Sequence, residues 1–356
     1  MKVAMIGSWN TDSGASIHAE LLGRAWIEKG VDLTIFSFYK HSFHGTIFTK
    51  KEDEDYVTRC FTVYGIPNAE MDTAPIVAAD FDIFVVQDLG MIPMKYLLAI
   101  FPEIRKKSKT VNVIHDGQLS KRPEFFRFEW DHVVCFDGRY YDFLKEAYAE
   151  GKLSVIPYPA YPLKKGNKLQ ARETLGLARD EKIIFLFGPA AGQAIDAAMV
   201  LDRLSEKYDV TLVVVTEIEH VLEEFRHIKP KVKFKMNIIE ESLSRDALYK
   251  YLHAADCMIY NKYSAAVTVV ASTVYQCMGS ACPIAARESN YLDSFNEEVL
   301  KYGNFYELES ALIDVFEKGK RYKRQQEAIV SYLEKNSDND IADRYLELFS
   351  DLLNVK

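Results

Sequence analysis

Lys2-Val3-Ala4-Met5-Ile6-Gly7, a helix-period segment from Ser13 to Lys29, and Gly30-Val31-Asp32-Leu33-Thr34-Ile35-Phe36 together decide the fold. Val3–Ile6 and Val31–Phe36 are short, nearly unbroken apolar runs, the pattern of strands buried on both faces. Between them Ile17, Leu21, Leu22, Ala25 and Trp26 share one helical face, and Gly30 stands where a helix C-terminus takes glycine. Strand, helix and strand in this order imply a crossover and a parallel pair.

The alternation continues through Cys60–Tyr64, Ile83–Val86, Val111–Ile114, Val133–Phe136 and Leu153–Ile156. Pro157-Tyr158-Pro159-Ala160-Tyr161-Pro162 then interrupts it, and the polar run Lys164–Lys168 reads as a linker. The first domain therefore covers 1–162. A second α/β domain, 163–336, restarts the pattern with Ile183–Phe187, Val210–Val215, Val232–Phe234, Cys257–Tyr260 and Pro283–Ala285. A break at Asn336–Asp340 sets off a last helix, Ile341–Leu353, within 337–356. Two doubly wound parallel sheets in series bind ligands beyond the carboxyl ends of their strands, so the expected site is a cleft between two such edges.

Composition narrows the function. The 356 residues suit two domains, and a net charge of −8 argues against nucleic acid as a partner. Five cysteines, odd in number and without a CxxC pair, predict neither a disulfide framework nor a zinc site. The first apolar run is too short for a signal peptide, and no stretch reaches the roughly 18–20 apolar residues of a membrane span. The expected location is cytoplasmic. Lys121 and Arg122, followed by Phe125, Phe126, Arg127, Phe128 and Trp130, leave a peripheral membrane contact open, although core aromatics with solvated cations are the preferred reading.

Val111-Asn112-Val113-Ile114-His115-Asp116 carries the clearest chemistry, because His115 ends a buried strand and Asp116-Gly117 turns the chain. The alternative is an imidazole satisfied locally. Gly14, after Asp12-Ser13, opens a helix whose N-terminus could face a diphosphate, or it marks a plain turn with Ser13 or Ser16 as cap. His41 and His44, in the aromatic stretch Tyr39–His44, have no carboxylate or Cys completing a metal set, so no metal is expected there.

In order and spacing these motifs resemble the family-4 glycosyltransferases. The resemblance rests on Lys2–Gly7 with Ser13-Gly14, on Val111–Asp116, on Lys152–Pro157 with Leu169–Phe187, on Ala254–Tyr260 and on Met278–Ala286. It implies the GT-B fold: two Rossmann-like domains facing a cleft, the C-terminal helix crossing back to the first. It also implies transfer of a hexose from a nucleotide sugar, with retention, to a carbohydrate, lipid or protein acceptor. No cofactor or metal is then required, and the nucleotide is unspecified.

On this resemblance His115, with Asp116, lies at the reacting centre. Ser13 and Gly14 face the phosphates, and His41, His44, Lys121 and Arg122 lie on the acceptor side. The second domain departs from the family pattern. Its two donor-gripping acids fall on Thr268 and Gln276, and Gly188-Pro-Ala-Ala-Gly192-Gln193-Ala-Ile195 lacks the expected basic pair. A helix N-terminus near Gln193, together with Lys262 and Arg287, could substitute. These losses support an alternative: an inactive GT-B protein that binds a sugar, a nucleotide or a partner glycosyltransferase.

Overall fold

The computed structural model describes residues 1–42, 48–65 and 68–354. In chain order the elements are β1 (Lys2–Ile6), α1 (Gly14–Glu28), β2 (Asp32–Phe38), β3 (Val57–Phe61), α2 (Ala74–Ala78), β4 (Ile83–Gln87), α3 (Met94–Lys107), β5 (Lys109–Val113), β6 (His132–Cys135), α4 (Gly138–Leu144) and β7 (Leu153–Val155). They continue with α5 (Lys168–Thr174), β8 (Lys182–Phe187), α6 (Ala198–Leu204), β9 (Val210–Thr216), α7 (Glu219–Ile228), β10 (Lys235–Glu240), α8 (Arg245–Ala254), β11 (Cys257–Tyr260) and α9 (Ser272–Met278). The last are β12 (Ile284–Arg287), β13 (Leu300–Tyr302), α10 (Phe305–Phe316), α11 (Lys320–Asn336) and α12 (Asp338–Asn354).

Two compact units result. Met1–Pro159, Val267–Ser272 and Asn336–Lys356 form the first; Ala160–Ala266 and Thr273–Lys335 form the second. The first unit is built on a parallel sheet of order β3-β2-β1-β4-β5-β6-β7. Order reverses at β1, which pairs with β2 on one side and β4 on the other, creating a switch point at their carboxyl ends. Helix α12 packs against α1 within this unit. Trp26 meets Tyr345 and Phe349 edge-on at 5.8 and 5.3 Å, and Lys29 pairs with Asp343 at 2.8 Å.

The break before α12 is a single residue, Ser337, where the sequence led us to expect five. Ser337 Oγ lies 2.6 Å from Asp340 Oδ2 and accepts from the Asp340 amide, so Asp338–Asp340 form a helical first turn. Acidic residues are stabilising there because they face the positive end of the helix.

The second unit carries a parallel sheet of order β10-β9-β8-β11-β12-β13. Val214, Ile259 and Ala285 from its strands pack against Val200, Leu201, Phe225 and Leu312 from the helices. In the first unit β3 runs over Val57–Phe61, displaced from the expected Cys60–Tyr64, and two strands of the second unit also differ from the sequence reading. β10 runs over Lys235–Glu240, not Val232–Phe234, because an edge strand exposes Lys235, Asn237 and Glu240 and so shows no continuous apolar run. β13, three residues long, is too short to announce itself.

Candidate functional site

At the switch point of the first unit, Gly7 follows β1 and Gln87 ends β4. A Cβ on Gly7 would lie 2.7 Å from the Gln87 carbonyl, so only glycine permits this approach. Gln87 is fully buried, and its Oε1 lies 3.1 Å from His18 Nδ1 of α1 and 2.9 Å from His115 Nε2 beyond β5. In this arrangement both rings donate to the amide oxygen, which leaves His115 Nδ1 as a lone-pair acceptor. The rings stack edge-on at 5.2 Å, and Phe136 closes against both at 5.0 Å. Desolvation pushes the His115 pKa down to about 3, and burial with the neighbouring His115 holds His18 well below the ordinary range. Both are neutral imidazoles near pH 7. His115 is built to form hydrogen bonds, not to carry charge.

Beside the two histidines a pair of carboxyls converges. Asp88 follows β4 with φ 59°, a left-handed conformation, and Asp116 follows His115. A Cβ at Gly90 would lie 3.0 Å from Asp88 Oδ1 and 3.1 Å from Asp116 Oδ2. Burial and the Asp116 charge raise the Asp88 pKa to about 7, and burial raises Asp116 against the pull of Arg122. Arg122 donates to the Gly90 carbonyl at 3.0 Å and lies 4.1 Å over the Tyr64 ring; its buried Nη1 has no partner among the described residues. Lys121 is exposed.

The sequence reading missed Gln87 and Asp88. The signal was there: the apolar run Ile83–Val86 ends in Gln-Asp as Val111–Ile114 ends in His-Asp.

The stretch Val267–Ser272 belongs to the first unit and packs on this edge. The Thr268 amide donates to the Gly117 carbonyl at 3.0 Å, and a Cβ on Gly117 would collide with the Thr268 carbonyl. Arg139 donates to the Val269 carbonyl at 3.2 Å. Thr268 is therefore engaged through its backbone. Ser13 caps α1, its Oγ accepting from the Ser16 amide, and forms a hydroxyl triangle with Ser8 and Thr11 at 3.0–3.1 Å. Gly14 lies against Ser272. His41 stacks on Tyr39 at 5.5 Å after β2, and His44 falls outside the described residues.

In the second unit, Gly188, Gly192 and Gln193 follow β8. The chain takes 3-10 turns over Pro189–Ala197 in place of the α-helical N-terminus expected near Gln193, and α6 starts only at Ala198. Proline and two glycines disfavour a regular helix there. Gln193 is tied down instead: Asn261 donates to its carbonyl, and its Oε1 accepts from the Tyr263 amide at 3.4 Å. Val221 and the Glu224 carboxylate stand beside Gly192. Lys262 lies over Tyr291 at 4.8 Å, with its pKa lowered by burial, and Arg287 lies over Tyr263 at 4.5 Å. Gln276 sits on α9, half-buried, its carbonyl accepting from the Tyr249 hydroxyl at 3.1 Å. Among the described residues no group of three or more His, Cys, Asp or Glu could hold a metal, and no helix is long and apolar enough to cross a membrane.

No family model matches the chain. In structure it is similar to a glycosyltransferase from Rickettsia africae, with a TM-score of 0.70 at 15% identity over 100% of this chain and 99% of that one. Sucrose-phosphate synthase from Thermosynechococcus elongatus matches at TM-score 0.67 and 13% identity over 100% of both chains. The catalytic domain of starch synthase IV from Arabidopsis thaliana, bound to ADP and acarbose, matches at 0.62 and 14% over 99% of both. At such identities the likeness establishes the fold, two Rossmann-like domains of the GT-B type.

Proposed function

We propose that the chain is a hexosyltransferase that takes its sugar from a nucleotide-sugar donor and retains the configuration at the transferred carbon. The observation that supports this most is the carboxyl edge of the first unit. There Gln87 fixes a neutral His115 beside Asp88, Asp116 and Arg122 in a GT-B fold. His115 would stabilise developing charge on the sugar through hydrogen bonds, since an imidazole with a pKa of about 3 gives up no proton near neutrality. Arg122, His41 and Lys121 are proposed for the acceptor side, with Ser13 and Gly14 at the phosphates. Thr268, Gln276, Gly188, Gly192, Gln193, Lys262 and Arg287 are proposed for the donor.

A specific observation favours a second reading, a non-catalytic GT-B protein that binds a sugar, a nucleotide or a partner enzyme. The Gly188–Gln193 turn has no cation of its own and stands near the Glu224 carboxylate, a poor setting for a diphosphate.

A thermal-shift panel of uridine, guanosine and adenosine diphosphates and their sugars tests the donor site. Donor hydrolysis by wild type and His115→Ala then separates the readings. Saturable shifts with hydrolysis lost in the variant support transfer. Binding without turnover supports the second reading, and silence across the panel rejects donor binding.

A further inference from the structure

Away from the carboxyl edges, the second unit contains a cavity of about 350 Å³ at the opposite, amino-terminal edge of its sheet. It lies where Lys182 begins β8, Asp256 precedes β11 and the Ser280–Pro283 turn leads into β12, with the end of α10 and one face of α11 as walls. We propose that this cavity binds a small phosphorylated anion, at a site separate from the proposed donor site.

The charge pattern carries the argument. Four lysines line the cavity, Lys165, Lys168, Lys182 and Lys318, in a chain whose net charge is −8. Asp256 is the single acid among the lining residues, and its charge is already matched. Lys168 meets its Oδ1 at 2.5 Å, and Arg172 and the Ile183 amide meet its Oδ2 at 2.7 Å each. Lys165, Lys182 and Lys318 pair with no carboxylate among the described residues. Among the described residues Lys182 meets the Phe316 carbonyl at 3.4 Å and the face of that ring. Gln326 also lines the cavity, and its buried amide nitrogen has no acceptor among the described residues.

Lysines therefore outnumber carboxylates around a concave space at the small end of ligand-pocket volumes. Lysine ammoniums act as point charges towards phosphate oxygens. Two lining residues, Ala281 at φ 58° and Lys318 at φ 53°, hold left-handed conformations that cost non-glycine residues energy and recur at ligand sites. The volume suits pyrophosphate or a monosaccharide phosphate.

The test is calorimetry and thermal shift on the full chain with pyrophosphate and with glucose 6-phosphate, at fixed ionic strength against sulfate. One saturable site per chain is expected for at least one of the two. In Lys182→Gln/Lys318→Asn its affinity should fall roughly a hundredfold, about tenfold for each charged hydrogen bond lost. Asn at 318 keeps the left-handed backbone, and Lys165→Gln is the reserve variant should the double one misfold. Lys262→Gln/Arg287→Gln, at the other edge of the sheet, should bind as wild type does. The proposal fails if neither phosphate binds more tightly than sulfate. It fails equally if the lysine variants keep wild-type affinity, whether or not the Lys262/Arg287 variant loses it.

Discussion

Replacing Asp88 with Asn removes an ionisation that the folded first unit resists, and the size of the effect follows from the site. Burial and the Asp116 carboxylate raise the Asp88 pKa from 3.8 to about 7. Between those values the unfolded chain has lost the proton and the folded chain still holds it. Stability from this group is therefore fully present below the lower value, declines as pH rises through the interval, and is lost above the upper one. At about 1.4 kcal/mol per pH unit the whole interval is worth roughly 4 kcal/mol. Asp88 is only partly buried, and solvent screening reduces the expected effect to about 2 kcal/mol. Asn keeps the shape and tolerates φ near 59°. Urea unfolding of both proteins at about pH 3.5 and about pH 8 reads the difference directly. Asp88→Asn should match wild type at the lower pH and exceed it by about 2 kcal/mol at the higher. A gap of equal size at both pH values would show that Asp88 ionises normally, and the picture of a carboxyl pair squeezed around Gly90 would fall with it.

Other outcomes follow from the same contacts. Gly117→Ala puts a methyl group into the Thr268 carbonyl and should cost about 1–3 kcal/mol, with proteolysis of the 262–271 stretch faster than in wild type. Unchanged protection would mean that the stretch is not held there. Asp256→Asn leaves Arg172, whose side chain is 3% exposed, without its counter-charge, and chemical denaturation should register a loss of about 3–5 kcal/mol. His115→Ala should lower donor hydrolysis roughly a hundredfold. With a His115 pKa of about 3, that ratio should not vary from about pH 5 to about pH 8, and a rate ratio titrating near 6.5 would contradict the desolvated imidazole. Gln276→Glu should tighten nucleoside-diphosphate binding about tenfold by calorimetry if this side chain faces the ribose.

The apolar runs were readable because strands buried on both faces leave no room for polar residues. That reading located the strands of the first sheet, with β3 displaced by three residues, and put His115 at a strand end. It failed at β10, where one edge meets solvent and alternation replaces the run. It also failed at Gln87-Asp88, where the strand end was visible and its chemistry went unnoticed. Arg122 looked like a surface cation beside aromatics, yet it folds back over Tyr64 to donate to the Gly90 carbonyl, and its charge acts on the two carboxyls.

By itself, then, the sequence determined the α/β class, the alternation of strand and helix and the residues at several strand ends, because local periodicity records burial. Only tertiary structure decided that Gln87 bridges two histidines, that Asp88 and Asp116 share one glycine, and that Lys318 joins Lys165, Lys168 and Lys182 around one cavity. Those groups meet through strand order and close backbone approach, and their shifted proton affinities arise from desolvation and neighbouring charge, neither of which any local stretch of chain encodes.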